Sequence, residues 1–305
     1  MLPERLDPSR SLPSVPESVT QRRLRTAKRA LVSLLLGGTA VLGSMIAFRQ
    51  GLLPLVGIFN PGPEWLSAIR RIGIVLSGLA GYWAYVRWHE KRKATELRLR
   101  PVPLLLGAAA GAGLVALPIA MLFALGAYEM VLFHGASPAL FGVAALICIA
   151  ALLEELVYRC VLFRVLERAW GTRIALAAQA VVFAAAHLEN VQDGGVGDVV
   201  IMLASVTLLG LLWGGVFVLT RNVWVVTANH AAWNFTILLS GVPLSGIEDW
   251  RALSPIESRY AGPEWLTGGM FGPESSLLVM VSIAVAVVLL LRAARRRQAF
   301  FLPAV

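Results

Sequence analysis

Long apolar stretches alternate with short polar connections along most of this chain. After a polar opening at residues 1–29, apolar runs fall near 30–48, 72–86, 103–133, 137–158, 174–188, 199–220, 223–240 and 276–291. About 20 apolar residues in a helix are enough to cross the hydrocarbon of a bilayer. The pattern therefore predicts an all-α fold, a multi-pass integral membrane bundle of about eight transmembrane helices. It predicts one membrane domain over 30–292, flanked by a polar tail at 1–29 and a basic tail at 293–305. The third run is long enough to tilt, or to break at Pro118. The connection 242–275 is rich in Pro, Gly and Ser and has no periodicity that specifies helix or strand.

Composition agrees with this picture and charge orients it. Hydrophobic residues make up 57% of the chain and charged residues 15%, against about 25% charged in soluble domains. The net charge of +9 does not point to a nucleic acid, because the basic residues form short clusters beside apolar runs, as topology signals do. With the N-terminus in the cytoplasm, eight spans place 22 of the 27 basic residues inside and only Arg49, Arg70, Arg71, Arg251 and Arg259 outside. Both termini are thus expected in the cytoplasm of a cell whose cytoplasmic membrane holds the chain. Gly62-Pro63-Glu64-Trp65-Leu66 recurs as Gly262-Pro263-Glu264-Trp265-Leu266; interfacial tryptophans explain it better than a repeat does. The two cysteines, Cys148 and Cys160, lie about 18 Å apart along one helix, too far for a disulfide.

Three apolar runs carry compact polar groups. The fourth ends in Glu154-Glu155-Leu156-Val157-Tyr158-Arg159, although one acidic residue at mid-bilayer costs about 2.5 to 3.5 kcal/mol on insertion scales. Glu155 and Arg159 share a helix face and can pair, while Glu154, turned about 100° away, is free for other work. The fifth run carries Gln179, Phe183 and His187 on one face, and the seventh carries Asn229, His230 and Asn234. Gly210, Gly214 and Gly215 in the sixth run permit the close helix approach that would bring these faces together. A shared site inside the core segment 137–240 is the simplest account. A carboxylate beside an imidazole can deprotonate a water, and a second His with an Asn amide can stabilise an oxyanion. A zinc ion held by Glu154, His187 and His230 would activate the same water. The sequence leaves the two versions open.

Glu154-Glu155-x-x-x-Arg159, Phe183-x-x-x-His187 and His230-x-x-x-Asn234, in this order, resemble the three motifs of the CPBP family of intramembrane endopeptidases. That family includes the type II CAAX prenyl endopeptidases and the Abi proteins. The resemblance implies that Glu154 activates water with His187, that His230 and Asn234 stabilise the oxyanion, and that Glu155 and Arg159 support the site. It also implies a hydrophobic or lipidated peptide substrate. A cavity reached from the cytoplasmic leaflet is expected. A non-catalytic immunity or binding protein of the same fold is the second reading.

Other signatures fail. Gly195-Val196-Gly197-Asp198 has the G-x-G-D form of aspartyl intramembrane proteases, but no Tyr-Asp pair accompanies it, and a polar turn explains it. His89-Glu90 opens like the zinc helix H-E-x-x-H, but Lys93 stands where the second histidine is needed. Counted along straight spans, His187 and His230 lie at depths that differ by about 10 Å. A polar helix at 161–169 that dips into the bilayer is the expected remedy.

Overall fold

The computed structural model describes residues 18–191, 194–247 and 250–302. Eight helical rods account for most of the described chain. α1 runs Val19–Gly57, α2 Pro63–Ala84, α3 Pro101–Ala124, α4 Ala139–Trp170, α5 Thr172–Ala185, α6 Val196–Thr220, α7 Val223–Leu239 and α8 Leu277–Arg296. Their ends follow local chemistry. Ser18 and Gln21 form a capping box at the start of α1, Pro63 and Pro101 open α2 and α3, and Gly171 at φ 84° separates α4 from α5. Asn222 caps α7, accepting from the Val225 amide at 3.1 Å.

Each of the eight apolar runs became a rod, with corrections at two places. The third does not reach residue 133. α3 passes through Pro118 unbroken and ends at Ala124, and Gly126 at φ 70° turns the chain into a strand, β1, Tyr128–Phe133. β1 pairs antiparallel with β2, Ile256–Tyr260, which lies inside the connection that gave no periodicity. The polar segment at 161–169 is no separate dipping helix either; α4 continues through it as one rod of 32 residues with a π-helical stretch at Leu156–Phe163. α1, α3, α4, α6 and α8 are long and apolar enough to cross a membrane. α5 and α7, at 14 and 17 residues, are shorter, and they carry the histidine motifs.

Hydrogen bonds define two ends. At the first, Asn222 donates to the Arg98 carbonyl at 2.6 Å, the Thr172 amide to the Phe301 carbonyl at 3.1 Å, and Arg221 to Glu167 and the Ala299 carbonyl. A cluster of buried Tyr82 and Glu96 with partly buried Arg92 and Arg164 joins α2 to α4 there, and Arg168 meets Glu90 at 2.5 Å. At the second end lie β1 and β2, the Asn190 amide on the Ser245 carbonyl at 3.0 Å, and the Tyr128 hydroxyl on the Thr267 carbonyl at 2.6 Å. Trp65 and Trp265 are both exposed at this second end. Small residues set the helix contacts between the ends. A Cβ on Gly111 would stand 2.1 Å from the Asn229 carbonyl oxygen, and one on Gly210 would stand 2.8 Å from Ala180 Cα. Gly214 faces Leu176 and Gln179 as closely, whereas Gly215 makes only ordinary contact with α8.

Candidate active site

Adjacent positions on one helix point in different directions, and this decides the fates of the two glutamates. Glu155 is fully buried, with Oε2 3.0 Å from Arg159 Nε in an ion-pair contact that lacks hydrogen-bond alignment, and with Oε1 3.0 Å from His230 Nδ1. Arg159, also fully buried, donates to Gln179 Oε1 and lies over the Phe183 ring at 5.0 Å. Gln179 returns its amide to the Gly210 carbonyl at 2.9 Å, which ties α4, α5 and α6 together. A buried pair offsets its desolvation better where further groups bond it; here His230 and Gln179 each bond one partner, while Arg159 Nη2 has no hydrogen-bond partner among the described residues. Glu154 is instead 35% exposed and faces a cavity of about 280 Å³.

His187, His230 and Asn234 line the same cavity as Glu154, so the predicted residues converge. His187 sits just past the end of α5, with Nδ1 2.8 Å from the Phe183 carbonyl oxygen and its ring 4.6 Å from the Phe183 ring. A carbonyl can only accept, so His187 Nδ1 carries the proton and Nε2 is the free base of the neutral ring. His230 also donates from Nδ1, here to the Glu155 carboxylate. Its Nε2 stands 4.0 Å from Glu154 Oε2, and Trp213 stacks on the ring at 3.6 Å. Glu154 Oε2 and Asn234 Oδ1 are buried polar atoms without a hydrogen-bond partner among the described residues. Groups of this kind are uncommon in folded proteins and mark places where water or a ligand bonds.

This arrangement differs in detail from the expected one. Glu154 has His230 as its measured imidazole neighbour, and Glu155 orients that histidine as well as pairing with Arg159. Gln179, aligned with His187 in the sequence, belongs to the support of Arg159. Four participants escaped the sequence reading. Trp213 and Tyr158 form aromatic walls, and Ser245 and Glu274 come from the connection between α7 and α8. Glu274 is 1% exposed and accepts from Trp233 Nε1 at 3.1 Å and from the Ser245 hydroxyl. Burial pushes its carboxyl above the ordinary value, against the opposing pull of those two donors and of His187 and His230. The burial of Trp233 beside His230 and Asn234 was the one available hint that something polar must meet its indole.

Among the described residues, no three His, Cys, Asp or Glu side chains are arranged to hold a metal. Glu154, His187 and His230 share the cavity without forming a ligand set as they stand. The other signatures resolve as structure. Asp198 accepts from the Gly195 amide at 2.8 Å and caps α6, and His89 meets Ser33 at 3.0 Å far from the cavity.

Comparison with known proteins agrees with the motifs. Residues 135–236, about a third of the chain, match the family model described as type II CAAX prenyl endopeptidase Rce1-like, and that stretch runs from before α4 into the last turn of α7 and holds every predicted site residue. No curated protein and no solved structure gave a significant match to the chain. With the three motifs in order and their side chains gathered at one cavity, residues 135–236 are similar to the type II CAAX prenyl endopeptidase Rce1-like family.

Proposed function

We propose that the chain is an endopeptidase that hydrolyses a peptide bond of a hydrophobic or lipidated membrane-associated peptide, with water activated by its own side chains. One observation carries this reading: Glu154, His187, His230 and Asn234, drawn from α4, the end of α5 and α7, line a single cavity. Glu154, half-open to the cavity and free of an ion-pair partner as close as Arg159 is to Glu155, is the base that takes a proton from water. His187 accepts a hydrogen bond from the same water at Nε2, and Glu154, once protonated, returns its proton to the leaving amine. His230 in its protonated form donates from Nε2, with Glu155 as its counter-charge, and the Asn234 amide supplies a second donor to the oxyanion. Trp213 holds the His230 ring in the orientation this requires.

Zinc, if bound, would supply Lewis-acid activation of water. The donor set does not fit it, and no step above passes through it. The test is a panel of single-span and lipid-anchored reporter peptides, a farnesylated one included, reconstituted with the protein and read by mass spectrometry. Internal cleavage by the wild type that His187→Ala abolishes while still inserting is the expected result. Cleavage unchanged in His187→Ala would remove the mechanism.

A further inference from the structure

The cavity is not placed midway between the two ends of the bundle. Its floor is Tyr158, Trp213 and His230, and beneath them Arg159, Gln179 and Glu155 close the core without exposed atoms. Its outer wall is built from the connections at the second end. Glu189 and Asn190 follow α5, and Ser245, Ile247 and Glu274 come from the connection between α7 and α8. Glu189 is exposed and Ile247 is 37% exposed, so this wall meets the surroundings. Ala150 and Ala186, both exposed, flank Glu154 where α4 and the end of α5 face outward.

Most basic residues belong to the opposite end. The start of α1, the α2–α3 connection, the α4–α5 junction, Arg221 and the end of α8 all lie at the first end, and by chain position 19 of the basic residues among those described belong to it. The second end has Arg49, Arg70, Arg71, Arg251 and Arg259. Lys and Arg in short connections are retained on the cytoplasmic side.

We infer that the cavity opens away from the cytoplasm, so its substrate is a peptide presented from the outer half of the bilayer or the space beyond it, with an apolar portion lying in lipid against Ala150 and Ala186. The expectation of access from the cytoplasmic leaflet is reversed. The substrate part rests on the proteolytic reading above; the orientation does not.

The two are separated by labelling. In a background of Cys148→Ser and Cys160→Ala, single cysteines are introduced as Glu189→Cys and Ile247→Cys at the cavity wall and as Lys93→Cys at the first end, which is exposed. A membrane-impermeant maleimide is applied to intact spheroplasts and to inverted vesicles. Both wall cysteines should react at least tenfold faster in spheroplasts, and Lys93→Cys at least tenfold faster in inverted vesicles. Wall cysteines that react no faster from outside than Lys93→Cys does would overturn the orientation. Labelling as expected without cleavage of any reporter keeps the orientation and overturns only the proteolytic reading beneath it.

Discussion

Glu154 and Glu155 are neighbours in sequence and opposites in surroundings, one facing a cavity and the other locked between Arg159 and His230. Their substitutions should therefore fail differently. Glu155→Ala leaves Arg159 buried without its counter-charge, and breaking a buried pair in this way costs about 3–5 kcal/mol. A fall in melting temperature together with activity is expected, measured by thermal unfolding in detergent beside cleavage. Asn234→Ala should lower kcat about 10² to 10³-fold, as loss of one oxyanion donor does elsewhere, with little change in melting temperature. Glu274 adds a pH dependence. Its carboxyl lies above the ordinary value of 4.5 because burial disfavours the charge. As pH rises past 4.5, the unfolded chain ionises first, so the stability present below that pH is lost progressively up to the raised folded value. Glu274→Gln should flatten this decline in a series of melting temperatures against pH; an unchanged slope would contradict it. The Glu155–Arg159 pair was legible from i,i+4 spacing alone. Glu274 was not, because it reaches Trp233 only through the folding of an irregular connection 41 positions later in the chain.

At the scale of elements, the ends of short helices carry the site: α5 stops at Ala185, and His187 hangs from its last carbonyls. Helix periodicity gave the rods correctly but could not show that the third run ends early, since Tyr128–Phe133 is as apolar as a helix segment and becomes a strand only by pairing with Ile256–Tyr260. The small residues of the bundle give an element-level prediction. A Cβ on Gly111 would stand 2.1 Å from the Asn229 carbonyl, while one on Gly113 would meet nothing within 4 Å. Gly111→Ala should then push α3 from α7, costing about 1–3 kcal/mol as overpacking does and disturbing His230 and Asn234 beside it. Gly113→Ala should be silent in the same unfolding and cleavage assays.

For the whole molecule, the sequence supplied the bundle, the motif order and the charge bias. Which face of the bundle the cavity meets had to come from the structure, because it depends on the connections after α5 and α7 folding over the site. The metal question also belongs to this scale, since it concerns the assembled donor set. Purified protein should contain well under one equivalent of zinc, and chelation should leave cleavage intact; a stoichiometric ion whose removal abolishes cleavage would replace water activation by side chains alone. The most direct measurement of the central claim is the cleavage rate of Glu154→Gln beside the wild type on one reconstituted reporter, with melting temperature recorded for both. Water activation by Glu154 predicts a loss of about 10² to 10⁴-fold at an unchanged melting temperature. A variant that cleaves at the wild-type rate would contradict it.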